Sequence, residues 1–282
     1  METISSIQEM KARSLEALKK GTSIGFAPTM GFLHDGHLSL FNKCRKENDI
    51  VVASIFVNPI QFGPNEDLGK YPKDLEGDKA KLKAEEVDIL FLPSREELYP
   101  KEFKTTITIG KISAKLCGQS RPRLFDGAAT VVLKLLNIVR PQKAYFGEKD
   151  WQQLEVISTM VRDLNLDIEI VRVPIVREND GLAMSSRNSY LSELERKSAL
   201  SINKALQKAQ SLVSQGENDA ILIKKEIETI ICREPVNKID YISVCDPSTF
   251  VEQRTIDQKT LIALAVKVGA ARLIDNCIVE KN

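Results

Sequence analysis

A chain of 282 residues, 43% hydrophobic and 28% charged, has apolar material for a large core and, on length alone, for one or two domains. Its 40 Lys and Arg offset 39 Asp and Glu to a net charge of +1, which excludes global steering toward nucleic acid or membrane, so any anion site has to be local. The N-terminus is too charged for a signal peptide, the longest apolar runs fall far short of a membrane span, and the five cysteines are scattered without a C-x-x-C pair; together these predict a cytoplasmic protein with reduced thiols.

A helical pattern through Ile4, Ile7, Met10, Leu15 and Leu18 precedes Gly21. TSIGFAP follows as a short strand, LSLFNKCRKEN as a helix and DIVVASIFVNP as a buried strand. DLEGDKAKLKAEE reads as a helix, VDILFLP as a strand and GAATVVLKLLNIV as a helix. KAYFG is then a strand, DWQQLEVISTMVRDLN a helix and DIEIVRVP a strand. This alternation predicts an α/β fold, a Rossmann-like doubly wound parallel sheet covered by helices on both faces. After Pro174 the composition changes. VRENDGLAMSSRNS is polar and reads as a hinge or loop, followed by helices over 192–214 and 218–232 and by strands IDYISVC, TLIALAVKV and ARLIDNCIV. Helices followed by a run of strands predict a smaller C-terminal α+β domain, with the boundary near residue 178, dividing 1–178 from 179–282.

Ligands of an open parallel sheet bind beyond the carboxyl ends of its strands, and four unusual loops follow strands here. PTMGFLHDGH contains both histidines of the chain, His34 and His37, which share a face if helical. Gly31 and Gly36 permit close backbone approach, and the start of the following helix offers free N–H groups to an anion. Two imidazoles beside such amides suit phosphate oxygens; ordinary surface histidines are one alternative, and a metal pair another. No third histidine can complete a metal site, and none is expected. GEKD supplies Lys149 for a phosphate and Asp150 for a ribose or a helix cap. MSSRN brings Met184, Ser185, Ser186 and Arg187, either a phosphate clamp or a capped loop. NPIQFG and WQQL are neutral: Asn58, Gln61, Gln152 and Gln153 either grip a small hydroxy acid without neutralising its carboxylate or are polar turn residues. Tyr71 either lines the same pocket or packs.

At these residues the sequence resembles a known family. PTMGFLHDGHLSL, FVNPIQFGPNEDLGKYPKD, NIVRPQKAYFGEKDWQQL and VPIVRENDGLAMSSRNSYLS, in that order and spacing, are similar to the signature segments of the pantoate–β-alanine ligases. H-x-G-H alone marks only a superfamily shared with nucleotidylyltransferases and related to class I aminoacyl-tRNA synthetases; the four blocks together, through most of 20–195, are specific. The resemblance implies condensation of (R)-pantoate with β-alanine by way of pantoyl adenylate, releasing AMP and pyrophosphate, with ATP and Mg2+ required. By position it implies that Met30, Gly31, Phe32, Leu33, His34, Asp35, Gly36 and His37 contact ATP, with His37 where the family has its proton donor. Charge stabilisation of phosphate oxygens is an equally fair description of that role.

The resemblance further implies that Gly147, Glu148, Lys149 and Asp150 hold the adenosine part, with Lys149 also near the phosphates. Val176 contacts ATP through its backbone, and Met184 to Arg187 close over the phosphates. Gln61 and Gln153 bind pantoate, Gln61 also facing β-alanine; the residue reading adds Asn58 and Tyr71 to that pocket. The resemblance also implies a homodimer; the charge balance predicts neither nucleic acid nor membrane as partner, and the C-terminal domain is expected to close over the first as a lid, with 178–188 as hinge. One segment departs: RPRLFDGAAT carries Arg123, Leu124 and Ala128 where the family often has glycine, histidine and valine. A nucleotidylyltransferase with a phosphate-bearing acceptor would call for more Lys and Arg in the second pocket. A tRNA synthetase would need a basic surface. A nucleotide sensor would bind ATP and release no pyrophosphate.

Overall fold

The computed structural model describes residues 1–64 and 66–281. The chain forms two compact units, one made of Met1–Glu148 and Gln152–Pro174, the other of Lys149–Trp151 and the chain from Ile175 onward.

The strands of the first unit are β1 (Glu2–Ile4), β2 (Ile24–Thr29), β3 (Ile50–Ile55), β4 (Ile89–Phe91), β5 (Lys143–Gly147) and β6 (Glu169–Val173). Its helices are α1 (Ile7–Lys19), α2 (Asp35–Glu47), α3 (Leu75–Ala84), α4 (Arg95–Leu98), α5 (Cys117–Ser120), α6 (Leu124–Val139) and α7 (Trp151–Asp163), whose first residue groups with the second unit. The sheet runs β1-β4-β3-β2-β5-β6, and every pairing in it is parallel. Parallel strands buried on both faces need continuous apolar runs, and β3 supplies one in Val51, Val52 and Ala53, all fully buried. Phe41 and Cys44 of α2 and Leu82 of α3 join Ala27, Val51, Leu90 and Tyr145 in one core cluster. On other contacts α6 packs against β2 and α1.

From β2 the chain steps outward to β3 and β4; later it enters β5 on the opposite side of β2, where Gly25 and Phe26 pair with Lys143 and Ala144. The winding reverses between β2 and β5, the position at which doubly wound sheets open a crevice at their carboxyl edge. Because the strands are parallel, the chain leaves β2, β3, β5 and β6 at that same edge.

Two details differ from the sequence reading. Ile4 is not on the first helix; it ends β1, opposite Phe91, because Ser6 takes an extended N-cap conformation and starts the helix at Ile7. Leu15 is 41% exposed, and the buried stripe of α1 runs through Met10, Ser14 and Ala17 instead.

The second unit packs α8 (Glu193–Ser214) and α9 (Ala220–Cys232) on an antiparallel sheet of β7 (Asn237–Cys245), β8 (Thr260–Val268) and β9 (Ala271–Val279) in the order β7-β8-β9. A capping box starts α8: Ser192 Oγ accepts from Glu195 N–H at 3.3 Å while Glu195 Oε2 accepts from Ser192 N–H at 2.8 Å. The segment that reads from sequence as a hinge or loop forms a hairpin within this unit. Arg177 and Ala183 bridge antiparallel, and Met184 N–H donates to Val176 O at 3.0 Å. Glu178 accepts from Asn188 Nδ2 and Arg196, both at 2.6 Å. Among the described residues no helix is long and apolar enough to cross a membrane.

The five cysteines are free. Burial pushes the thiols of Cys44 and Cys277 up to about 12 and that of Cys245 up to about 11, so at pH 8 they remain protonated and slow. Cys117 is buried and Cys232 exposed. An aromatic disulfide reagent at pH 8 is expected to titrate one fast thiol, Cys232, and the others only on unfolding; loss of the fast phase in Cys232→Ser checks the assignment.

Candidate active site

The loop after β2 is built around one buried carboxylate. Thr29 Oγ1 donates to Ser54 O at 2.9 Å and accepts from Gly31 N–H at 3.2 Å. Gly31 lies at φ +82, and a Cβ there would sit 3.0 Å from both Asp78 Oδ2 and Ile55 Cγ2. Phe32 follows at φ +52, a conformation sparsely used by side chains of its size. Asp78, on α3 and 2% exposed, accepts from Phe32 N–H at 2.8 Å and Leu33 N–H at 2.7 Å. One turn on, Lys81 Nζ donates to Leu33 O at 2.5 Å. These charge-assisted bonds hold the strained turn in place.

The turn delivers the chain into α2. His34 is its N-cap in extended conformation, and Asp35, Gly36 and His37 form the first turn. His37 Nδ1 accepts from His34 N–H at 3.3 Å, and the two rings lie 4.0 Å apart between centroids at 36°. Among the described residues the N–H groups of Asp35 and Gly36 make no hydrogen bond, as expected of the first helical positions. The two imidazoles and two helix-terminal amides therefore share one short segment with the positive end of the helix dipole.

After β3, a 3-10 turn over Pro59–Gln61 places Asn58 and Gln61. Asn58 is 1% exposed; its Nδ2 donates to Gln61 Oε1 at 3.1 Å and Gly127 O at 3.0 Å. Gln61 Nε2 lies 3.0 Å from Met30 Sδ, which ties this turn to the loop after β2. Tyr71 is buried edge-on to Phe62, with centroids 6.2 Å apart. On α7 the two glutamines part company. Gln152 is buried and structural: it donates to Ile112 O at 2.9 Å and Lys115 O at 2.6 Å and accepts from Cys117 N–H at 3.0 Å. Gln153 is half-buried, and its side-chain amide makes no hydrogen bond among the described residues. Of the departing segment, Arg123 is the N-cap of α6, Leu124 its first residue and Ala128 buried in it.

Gly147 closes β5 with open space where a Cβ would be, and Glu148 begins a 3-10 turn. The remaining candidates belong to the second unit. Lys149 Nζ lies 3.6 Å from Asp150 Oδ2. Lys149 and Ser185 line one small pocket of that unit together with Asn188 and Asp275. Ser185 Oγ caps the turn Ser186–Tyr190 by accepting from Arg187 N–H at 3.3 Å, and Ser186 is buried. The Val176 carbonyl is occupied by Met184 N–H.

Sequence reasoning missed the residues that hold these groups. Asp78 sits on the inward stripe of α3, four residues before buried Leu82; a charge on that stripe was the available signal. Gly127 of α6 lets the helix press on the 58–61 turn, since a Cβ there would lie 2.6 Å from Gln61 Cα and N. Asp275, 3% exposed, grips Arg177 at 2.6 and 3.0 Å, and Asn276 Nδ2 donates to Lys149 O at 3.0 Å. The last two lie on β9, in the stretch with the weakest motifs.

Comparison with known proteins places the chain in a family. Residues 2–278 match the family model described as pantoate-beta-alanine ligase. The chain is 56% identical over 280 residues to a pantothenate synthetase of Caldicellulosiruptor bescii, covering 99% of each. It is 54% identical over 279 residues to that of Thermosipho africanus, covering 99% of this chain and 100% of the relative. Among solved structures, pantothenate synthetase from Thermus thermophilus superposes with a TM-score of 0.93 at 44% identity, covering 98% of this chain and 99% of that one. Pantoate-beta-alanine ligase from Francisella tularensis, complexed with beta-gamma ATP and beta-alanine, does so with a TM-score of 0.83 at 36% identity, covering 99% and 97%.

An Asn in place of Asp78 offers one oxygen to two N–H groups and turns an NH2 on the other. Asp78→Asn is expected to lose about 1–3 kcal/mol of stability in urea unfolding. Gly127→Ala is expected to lose a similar amount, about 1–3 kcal/mol, by overpacking against Gln61.

Proposed function

The chain belongs to the pantoate–beta-alanine ligase family, and from that premise we propose how its own residues carry the reaction. The reaction is the ATP-dependent condensation of pantoate with β-alanine to pantothenate. In the first step a pantoate carboxylate oxygen attacks the α-phosphorus of ATP; the new C–O–P link forms as the bond to the β-phosphate breaks, and pyrophosphate leaves. In the second, the amine of β-alanine attacks the acyl carbon, AMP departs with the carboxylate oxygen, and the amine proton passes to solvent.

The observation that carries the reading is the His37 Nδ1 bond to the helix N-cap. With Nδ1 accepting, the neutral ring carries its proton on Nε2, so His37 is a donor on its outer edge. Beside the N–H groups of Asp35 and Gly36 it stabilises charge on the phosphate oxygens as the α-phosphorus is attacked. His34 contacts phosphate in the same segment, and Met30, Gly31, Phe32 and Leu33 form the wall against ATP. Gly147, Glu148 and Asp150 take the adenosine, and Val176 contributes its N–H, its carbonyl being engaged. Lys149, Met184, Ser185, Ser186 and Arg187 take the phosphates. Gln61 and Gln153 hold pantoate through neutral amides, which leaves the attacking carboxylate its charge. Asn58 acts through Gln61, and Tyr71 lines that pocket. The beta-gamma ATP and beta-alanine complexed with the Francisella tularensis ligase support ATP and β-alanine as substrates.

Mg2+ neutralises phosphate charge when bound. Among the described residues no three His, Cys, Asp or Glu side chains are grouped to hold a metal, so the residues fit an ion carried on the ATP phosphates. The enzyme works in the cytoplasm as a homodimer, with small molecules and neither nucleic acid nor membrane as partners.

With MgATP and D-pantoate, sustained pyrophosphate and AMP release is expected only when β-alanine is added, with pantothenate identified by mass spectrometry. His37→Ala is expected to lower the first step about 10²–10³-fold at unchanged fold. Pyrophosphate release independent of pantoate would contradict the reading.

A further inference from the structure

We infer that Tyr99 is a positioning residue which, through Asn58, fixes the end of the Gln61 amide that meets the substrate, so that Gln61 presents an N–H donor there and the facing ligand atom is an acceptor oxygen. The inference rests on the placing of Gln61 in the pantoate pocket.

One group in this network cannot change its polarity. Gly127 O is a backbone carbonyl and only accepts. It lies 3.0 Å from Asn58, so the nitrogen end of that amide faces it. The second hydrogen on Asn58 Nδ2 points to Gln61 at 3.1 Å, which obliges Gln61 to turn Oε1 inward. Its Nε2 is then directed away from Asn58, 3.0 Å from the thioether of Met30, another acceptor. The opposite arrangement would set Asn58 Oδ1 against Gly127 O. The order of donors is thus read from the network, as side-chain amides require.

One buried atom of Asn58 is left, Oδ1, and Tyr99 Oη donates to it at 2.9 Å. Without that donor Oδ1 is buried unpaired, Asn58 loses one of the three bonds that fix its amide, and its hold on Gln61 loosens with it. Tyr99 is rigid. It follows α4, with its N–H bonded to Arg95 O at 2.7 Å. Its ring is flanked by Phe56 at 6.0 Å and Phe103 at 5.0 Å, with Lys134 Nζ 5.7 Å from its centroid. Burial raises its hydroxyl above the ordinary tyrosine range, so it stays a donor at every pH the enzyme meets.

The consequence is a specificity rule. A carboxylate or hydroxyl oxygen satisfies the Gln61 N–H, whereas an ammonium in that place would face a donor. The neutral amide therefore selects the acid without bringing a positive charge to its nucleophile.

A double-mutant cycle tests this by titration calorimetry of D-pantoate and, separately, of a non-hydrolysable ATP analogue, with thermal melts on every variant. Tyr99→Phe is expected to weaken pantoate about tenfold and the ATP analogue less than about twofold. In a Gln61→Ala background Tyr99→Phe is expected to add nothing. Equal weakening of pantoate in both backgrounds, equal weakening of both ligands, or no weakening overturns the inference. Unchanged pantoate binding in Gln61→Ala alone would instead overturn the pocket assignment beneath it. Gln61→Glu keeps the inward oxygen and replaces the outer donor, so it is expected to bind pantoate more weakly than Gln61→Ala; this comparison reads the polarity even if Tyr99→Phe does not fold, and the reverse order overturns it.

Discussion

β2 and β5 lie side by side in the sheet although the chain winds through β3, β4 and α6 between them, and the placing of the histidine loop depends on that adjacency. Crossovers in such sheets keep one hand, so a chain that moves one way from β2 and the other way from β5 leaves a crevice where the two directions part. The loop at the end of β2 opens at that edge and runs straight into a helix N-terminus. An anion brought there meets amides and imidazoles at once, without any excess of positive charge on the whole chain. A net charge of +1 is therefore no obstacle to handling a triphosphate.

The local chemistry divides between charge and neutrality. In the first unit Asp78 and Lys81 clamp the backbone of Phe32 and Leu33, and Arg121 pairs with Glu66. Neutral amides occupy the 58–61 turn, oriented by the Gly127 carbonyl and by Tyr99. In the second unit the same logic recurs, with Asp275 holding Arg177 and Asn276 holding the carbonyl of Lys149. Both arrangements spend buried polar groups on preorganisation, so that little has to be ordered when the charge develops.

Much of this was legible in the sequence, for physical reasons that also mark where it was not. β3 and β8 announce themselves because a strand buried on both faces needs an unbroken apolar run. The histidine loop was legible because His, Gly and a following amphipathic helix sit within ten residues. β1 was not, because three residues carry no period, and Ile4 continues the helical spacing of α1 by coincidence. The stretch between α4 and α6 has no period either; it is held by side-chain bonds from Gln152, far away in sequence. The 175–190 segment reads as a hinge or loop because it is polar, and its polar groups bond one another and Arg196. Asp78, Tyr99, Gly127 and Asn276 act through partners distant in the chain, and no local pattern encodes a distant partner.

The central claim is that the acid is activated by attack of its own carboxylate on the α-phosphorus. Turnover of pantoate labelled with oxygen-18 in both carboxylate oxygens, followed by mass spectrometry of the products, tests it most directly. The account predicts one labelled oxygen in AMP and one in the amide of pantothenate for every turnover. Label in pyrophosphate or inorganic phosphate, with AMP unlabelled, would mean that another phosphorus is attacked and would contradict it.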